Sequence, residues 1–130
     1  MTEELRGSTG KLLDKASILS DLIGANRLNE NFEEGFRVVT LLDRIFNEFD
    51  SWKTTKLGSD SILKAFEFAL ASDDIEIARK VFEIANGWLK HNDSLGFDGF
   101  ETAFKAAEKC SIKEYTTDYK NTDILSEEKN

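Results

Sequence analysis

Four stretches of the chain repeat one frame of apolar residues at i, i+3, i+4 and i+7: 42/45/46/49, 62/65/66/69, 78/81/82/85 and 100/103/104/107. Positions three and four apart lie on one face of an α-helix, so each frame predicts an amphipathic helix with one buried side. Upstream, Leu12, Ala16, Leu19 and Ile23 follow the same rhythm and predict a further helix, with Ser8 and Thr9 as caps and Gly24 and Asn26 at its close. Phe32, Phe36 and Val39 extend the first frame backwards into one stripe that ends at Phe49, interrupted by Gly35.

Between the stripes the chain is polar. Asp50 to Gly58 reads as a loop, with Asp60 or Ser61 capping the next helix. Ser72-Asp73-Asp74 is a second capping signal, and the helix it opens is expected to end at Asn86-Gly87. A second loop runs through Asn92-Asp93-Ser94 to Gly96, and after Cys110 the apolar residues thin out. The links alternate long, tight and long, so the frames group as two tandem helix–loop–helix units about 36 residues apart. The expected fold is all-α, with residues 1–30 as an N-terminal helical extension, 31–110 as the paired lobe and 111–130 as a polar, loosely ordered tail.

Composition narrows the function. A chain of 130 residues with 40% hydrophobic residues and ten Phe suffices for one folded core. It holds no proline, which suits uninterrupted helices. The net charge of −8 disfavours nucleic acid and anionic lipid as partners, since both are bound through clustered Lys and Arg. The single Cys110 excludes an internal disulfide and fits a reducing compartment, and no apolar run nears the roughly 20 residues that span a bilayer. The N-terminus has neither a secretory nor a transit signature, so a cytoplasmic location is expected.

Residues 42–107 resemble a paired EF-hand lobe of the calmodulin and myosin-light-chain type. The resemblance rests on Phe46 and Phe49 before Asp50, Leu57 at the central β position, and Ile62, Ala65 and Phe66 in the exit helix. In the second unit it rests on Val81 and Phe82 before Asn86, then Leu95, Phe97 and Phe100 in "LGFDGFETAF". It implies a short antiparallel β bridge joining Leu57 to Leu95. Calcium needs six to eight oxygens, with a closing Glu and a central Gly. The first loop offers Asp50, Trp52, Thr54, Lys56, Gly58 and Ser61 at the ligand positions, with Thr55 where Gly belongs. The second runs two residues longer and places Gly99 where the closing Glu belongs. The resemblance therefore implies a calcium-independent lobe, with Asp50 and Asn86 as vestigial loop positions and no metal or other cofactor. A tryptophan occupies the third position of both loops, Trp52 and Trp88. Either ring can pack over its own loop in place of the metal, or face a partner.

A rival resemblance covers "SILKAFEFALASDDIEIARKVFEIA", which is similar to a tetratricopeptide-type hairpin with Ala78, Phe82 and Ala85 at the packing positions. Within it, Ile62, Ala65, Ala69, Asp74, Ala78, Val81, Phe82 and Glu83 resemble the helical-repeat subunit Va of mitochondrial cytochrome c oxidase.

Catalytic signatures are lacking. His91 and Cys110 are single residues, and the sequence contains no zinc spacing, phosphate loop or nucleophile elbow. The expectation is a non-enzymatic adaptor module, light-chain-like, that grips a basic amphipathic helix of one dedicated partner through apolar residues including Trp52, Phe68, Trp88 and Leu89. The only methionine is Met1, whereas promiscuous grooves are Met-rich. The alternative is a structural helical-repeat subunit of a larger complex, such as a mitochondrial respiratory complex. A third possibility is an acidic decoy for a nucleic-acid-binding site.

Overall fold

The computed structural model describes residues 3–90 and 97–110. They form five α-helices: α1 (Glu3–Leu28), α2 (Phe32–Glu48), α3 (Lys56–Ala71), α4 (Ile75–Leu89) and α5 (Phe97–Lys109). A short 3-10 helix, Asp50–Thr54, joins α2 to α3, and the described residues contain no strand. The all-α expectation holds. The tail 111–130, His91 and the loop Asn92–Gly96 lie outside the described residues.

The helix boundaries follow local chemistry. α1 runs through Gly24 and Asn26 and stops later, because Glu30 adopts a left-handed conformation (φ 59°). The Asn31 N–H then donates to the Asn26 carbonyl (2.9 Å) and the Glu30 N–H to that of Arg27 (3.2 Å), which is the Schellman closure of a helix C-terminus. α3 is capped by Thr55, whose hydroxyl accepts from the Gly58 N–H, so Asp60 and Ser61 lie inside the helix rather than at its start. α4 opens where Ser72-Asp73-Asp74 predicts. The Asp74 carboxylate accepts from the N–H groups of Glu76 (2.9 Å) and Ile77 (3.3 Å). α4 continues past Asn86-Gly87 to Leu89. Nothing around Gly87 forces a turn, and Trp88 gains a buried site by staying helical.

How the helices pair departs from the grouping drawn along the sequence. The most extensive contacts join α1 to α2 and α3 to α4, each a hairpin across a tight link. α1 also lies along α3, α3 along α5, and α2 against α4, whereas α2 and α3 meet sparsely. The result is two layers: α1, α3 and α5 side by side, and α2 and α4 behind them. The three-residue link Ser72–Asp74 forces α3 and α4 antiparallel, while the 3-10 turn lets α2 and α3 diverge. Leu57 belongs to the first turn of α3 and forms no β bridge; its expected partner Leu95 is among the undescribed residues.

The core runs through both layers and includes α1, so the N-terminal helix packs on the rest of the described fold. Ala16, Leu19 and Ile23 are buried against α2 and α3 together with Val39, Leu42, Phe46, Ile62, Phe66, Phe68 and Phe82. Small residues set the spacing where helices lie closest. Ser20 of α1 faces Ser61 of α3 with 2.9 Å between hydroxyl oxygens, and α5 presents Ala103, Ala106 and Ala107 to the core, followed by Cys110 just past its end. The end of α5 is tied down at two points. The Lys109 ammonium donates to the carbonyls of Leu70 (2.6 Å) and Ser72, and the Arg79 guanidinium donates to the Cys110 carbonyl (2.9 Å). A cation on the last carbonyls of α3 satisfies acceptors that have no partner within the helix.

Candidate interaction surface

The residues singled out for a partner do not share a surface. Phe68 is fully buried on the inner side of α3, edge-on to Phe32 with centroids 5.5 Å apart. Trp88 is equally enclosed. Its ring meets Phe46 edge-on at 5.0 Å, and its indole N–H donates to the Asp43 carboxylate at 2.8 Å. Trp52 is half-buried and stacks flat on Phe49, with centroids 4.4 Å apart and an 11° tilt. Leu89 is half-buried against the core. Each therefore has a partner within the chain, and Phe68 and Trp88 offer no face to another protein. Of the two readings open for the tryptophans, internal packing describes both rings. The reason is chain position: Trp88 falls on the inner side of a helix that runs three residues past Asn86, and Trp52 falls in a turn that folds back on Phe49.

The vestigial metal positions are separated in the same way. Asp50 starts the 3-10 helix, whereas Lys56, Gly58 and Ser61 belong to α3, so the segment is not one loop around a central point. The Ser61 hydroxyl is committed to the Leu57 carbonyl at 2.6 Å. Gly58 is packed so closely on the Lys53 carbonyl that an added Cβ would stand 2.1 Å from its oxygen. Asn86 is half-buried within α4. Among the described residues no group of three or more His, Cys, Asp or Glu side chains converges as metal ligands would.

Cys110 is buried at the end of α5, and burial raises its thiol above the ordinary value, partly offset by the positive charges of Lys109 and Arg79. Burial thus favours the neutral thiol over the thiolate.

Two surface features escaped the frames read from the sequence. One is a shallow cleft of about 400 Å³ at the turn between α1 and α2, lined by Glu30, Asn31, Phe32, Glu33, Glu34 and Arg37. The other is the outer face of α1, where Ile18 (59% exposed), Leu22 (39%) and Leu28 (74%) stand in solvent. The frame Leu12, Ala16, Leu19 and Ile23 names the buried side of α1. The signal for the outer side is present too: α1 carries apolar residues on two adjoining sides, and only one of them meets α2 and α3. No described helix is long and apolar enough to cross a membrane. No protein-family model, curated protein or solved structure matches the chain.

Proposed function

We propose that this chain is a non-enzymatic protein-binding module, a structural subunit built of stacked helical hairpins that takes its place in a larger protein assembly. The observation that carries this reading is the two-layer packing, in which α3 contacts α1 on one side and α5 on the other while α2 and α4 stack behind. Helices stacked side by side in this manner present elongated surfaces to other proteins, and their interior is spent on holding neighbouring hairpins together. The acidic balance, −8 overall, favours a protein partner with a basic face.

The light-chain-like form of the reading, a calcium-independent grip on a basic amphipathic helix, has less support. Its groove requires Phe68 and Trp88 at the surface, and both are core residues. The deciding experiment is native fractionation of cells that make the tagged chain, followed by cross-linking mass spectrometry of the fraction that contains it. A complex of fixed composition with at least one other protein is expected. Recovery of the chain only as free monomer or as copies of itself would refute the proposal.

A further inference from the structure

The outer face of α1 carries a regular seam. Lys11, Lys15, Ile18, Leu22, Ala25 and Asn29 follow one another at steps of four, three, four, three and four, the heptad rhythm of a helix that packs along another helix. All six are exposed, while the adjoining side of the same helix, through Ala16, Leu19, Ser20 and Ile23, is buried in the fold. At 1.5 Å per residue the seam is about 27 Å long. Its centre is apolar, its N-terminal end carries Lys11 and Lys15 with exposed Asp14 at the border and so keeps a net positive charge, and its C-terminal end runs into Glu30, Glu33 and Glu34 around the turn to α2. Arg37 offsets Glu34 at 3.9 Å, which leaves the corner net acidic.

We propose that this seam pairs with the same seam of a second copy, the two α1 helices running antiparallel. A row that is cationic at one end, apolar in the middle and anionic at the other is complementary to its own reverse. In the antiparallel register centred on position 20, Ile18 of each copy packs on Leu22 of the other, Lys15 lies beside Ala25, and Lys11 reaches Asn29 and the acidic corner beyond it. A parallel pair would instead set lysine beside lysine and glutamate beside glutamate. Asp21 borders the centre of the seam, where two copies would approach one another. Each is held by Lys64 of its own chain at 3.1 Å, so the junction is not a pair of bare carboxylates. One helix face falls at the small end of protein interfaces, so the association is weak and reversible, in the micromolar range or above.

The test is sedimentation equilibrium of the purified full chain from about 10 μM to about 1 mM. A reversible monomer–dimer equilibrium is expected. Ile18→Glu with Leu22→Glu should weaken it about tenfold or more while the helical circular dichroism is unchanged, since both side chains are exposed. Register is read by charge reversal. Lys11→Glu with Lys15→Glu, and separately Glu30→Lys with Glu33→Lys, should each weaken self-association, and an equimolar mixture of the two variants should form a heterodimer. A chain that stays monomeric throughout, a dimer indifferent to Ile18 and Leu22, or a mixture that fails to pair would overturn the proposal. This experiment uses the pure chain alone, so its outcome is independent of whether the chain is found with another protein in cells.

Discussion

Gly35 lies on the inner side of α2 against Phe68 of α3, and replacing it with alanine tests the packing of the two layers directly. A Cβ built there would stand 2.1 Å from Phe68 Cε2, 2.5 Å from Phe68 Cζ and 3.2 Å from the Asn26 Cβ. Carbon atoms rest at about 3.5–4.0 Å, so the ring would have to retreat by about 1.5 Å. It has little room, being fully buried and held edge-on by Phe32. Overpacking of this kind costs about 1–3 kcal/mol. Against it stands the gain of about 1 kcal/mol that alanine brings over glycine within a helix. The expected net loss is about 0–2 kcal/mol, a fall in Tm of up to about 10 °C for a domain of this size. Gly87→Ala is the matched control, because nothing lies within 4 Å of its Cβ position in α4. It should raise Tm by a few degrees for the same propensity gain of about 1 kcal/mol. Thermal and urea unfolding followed by helical circular dichroism reads both. Phe68→Leu in the Gly35→Ala background should cost less than Phe68→Leu alone, since the smaller side chain frees the space that the methyl occupies. A Gly35→Ala chain that gains stability as Gly87→Ala does would show that α2 and α3 do not approach at this point.

Asp74→Ala should lower stability by about 1 kcal/mol, because two N–H groups at the start of α4 lose their acceptor; Asp74→Asn should retain most of it. Trp88→Phe should cost about 1–3 kcal/mol in urea unfolding, from lost volume and from the Asp43 carboxylate losing its indole donor. Glu30→Gly should raise Tm slightly, by relieving a left-handed backbone that costs a residue with a Cβ about 1 kcal/mol. A drop in Tm there would contradict the turn geometry. The Cys110 thiol is raised by burial above its ordinary value of 9.0. The unfolded chain therefore releases this proton at lower pH than the folded chain, and its contribution to stability, complete below pH 9, declines as pH rises through the folded value. Cys110→Ala should flatten the alkaline limb of the stability–pH curve, and an unchanged limb would remove the thiol from the account.

Much of the fold was legible in the residues. The four apolar frames, the stripe from Phe32 to Phe49 and the Asp74 cap mark helices that the structure contains, because apolar residues three and four apart share one side only when the chain is helical. Helix ends were less legible. Thr55 rather than Asp60 or Ser61 caps α3, and α1 and α4 pass through the asparagines and glycines expected to stop them. Such residues permit a stop but do not compel one when the next turn buries a side chain such as Trp88. The candidate surface was least legible of all. Phe68, Trp88, Trp52 and Leu89 are large apolar residues, yet all four are engaged within the fold, while Ile18, Leu22 and Leu28 stand exposed.

What the sequence by itself determined is therefore the set of helices and which side of each is apolar, since both follow from interactions between residues three and four apart. Only the tertiary structure decided which helices pair. The periodicity of α2 and α3 is compatible with one unit built around a loop, and equally with two neighbouring hairpins. The choice rests on contacts between residues far apart in the chain, among them Gly35 beneath Phe68, Ser20 against Ser61, and Lys109 on the last carbonyls of α3. An apolar face looks the same in a sequence whether or not a neighbour covers it. α1 has two such faces, and the fold fills one of them.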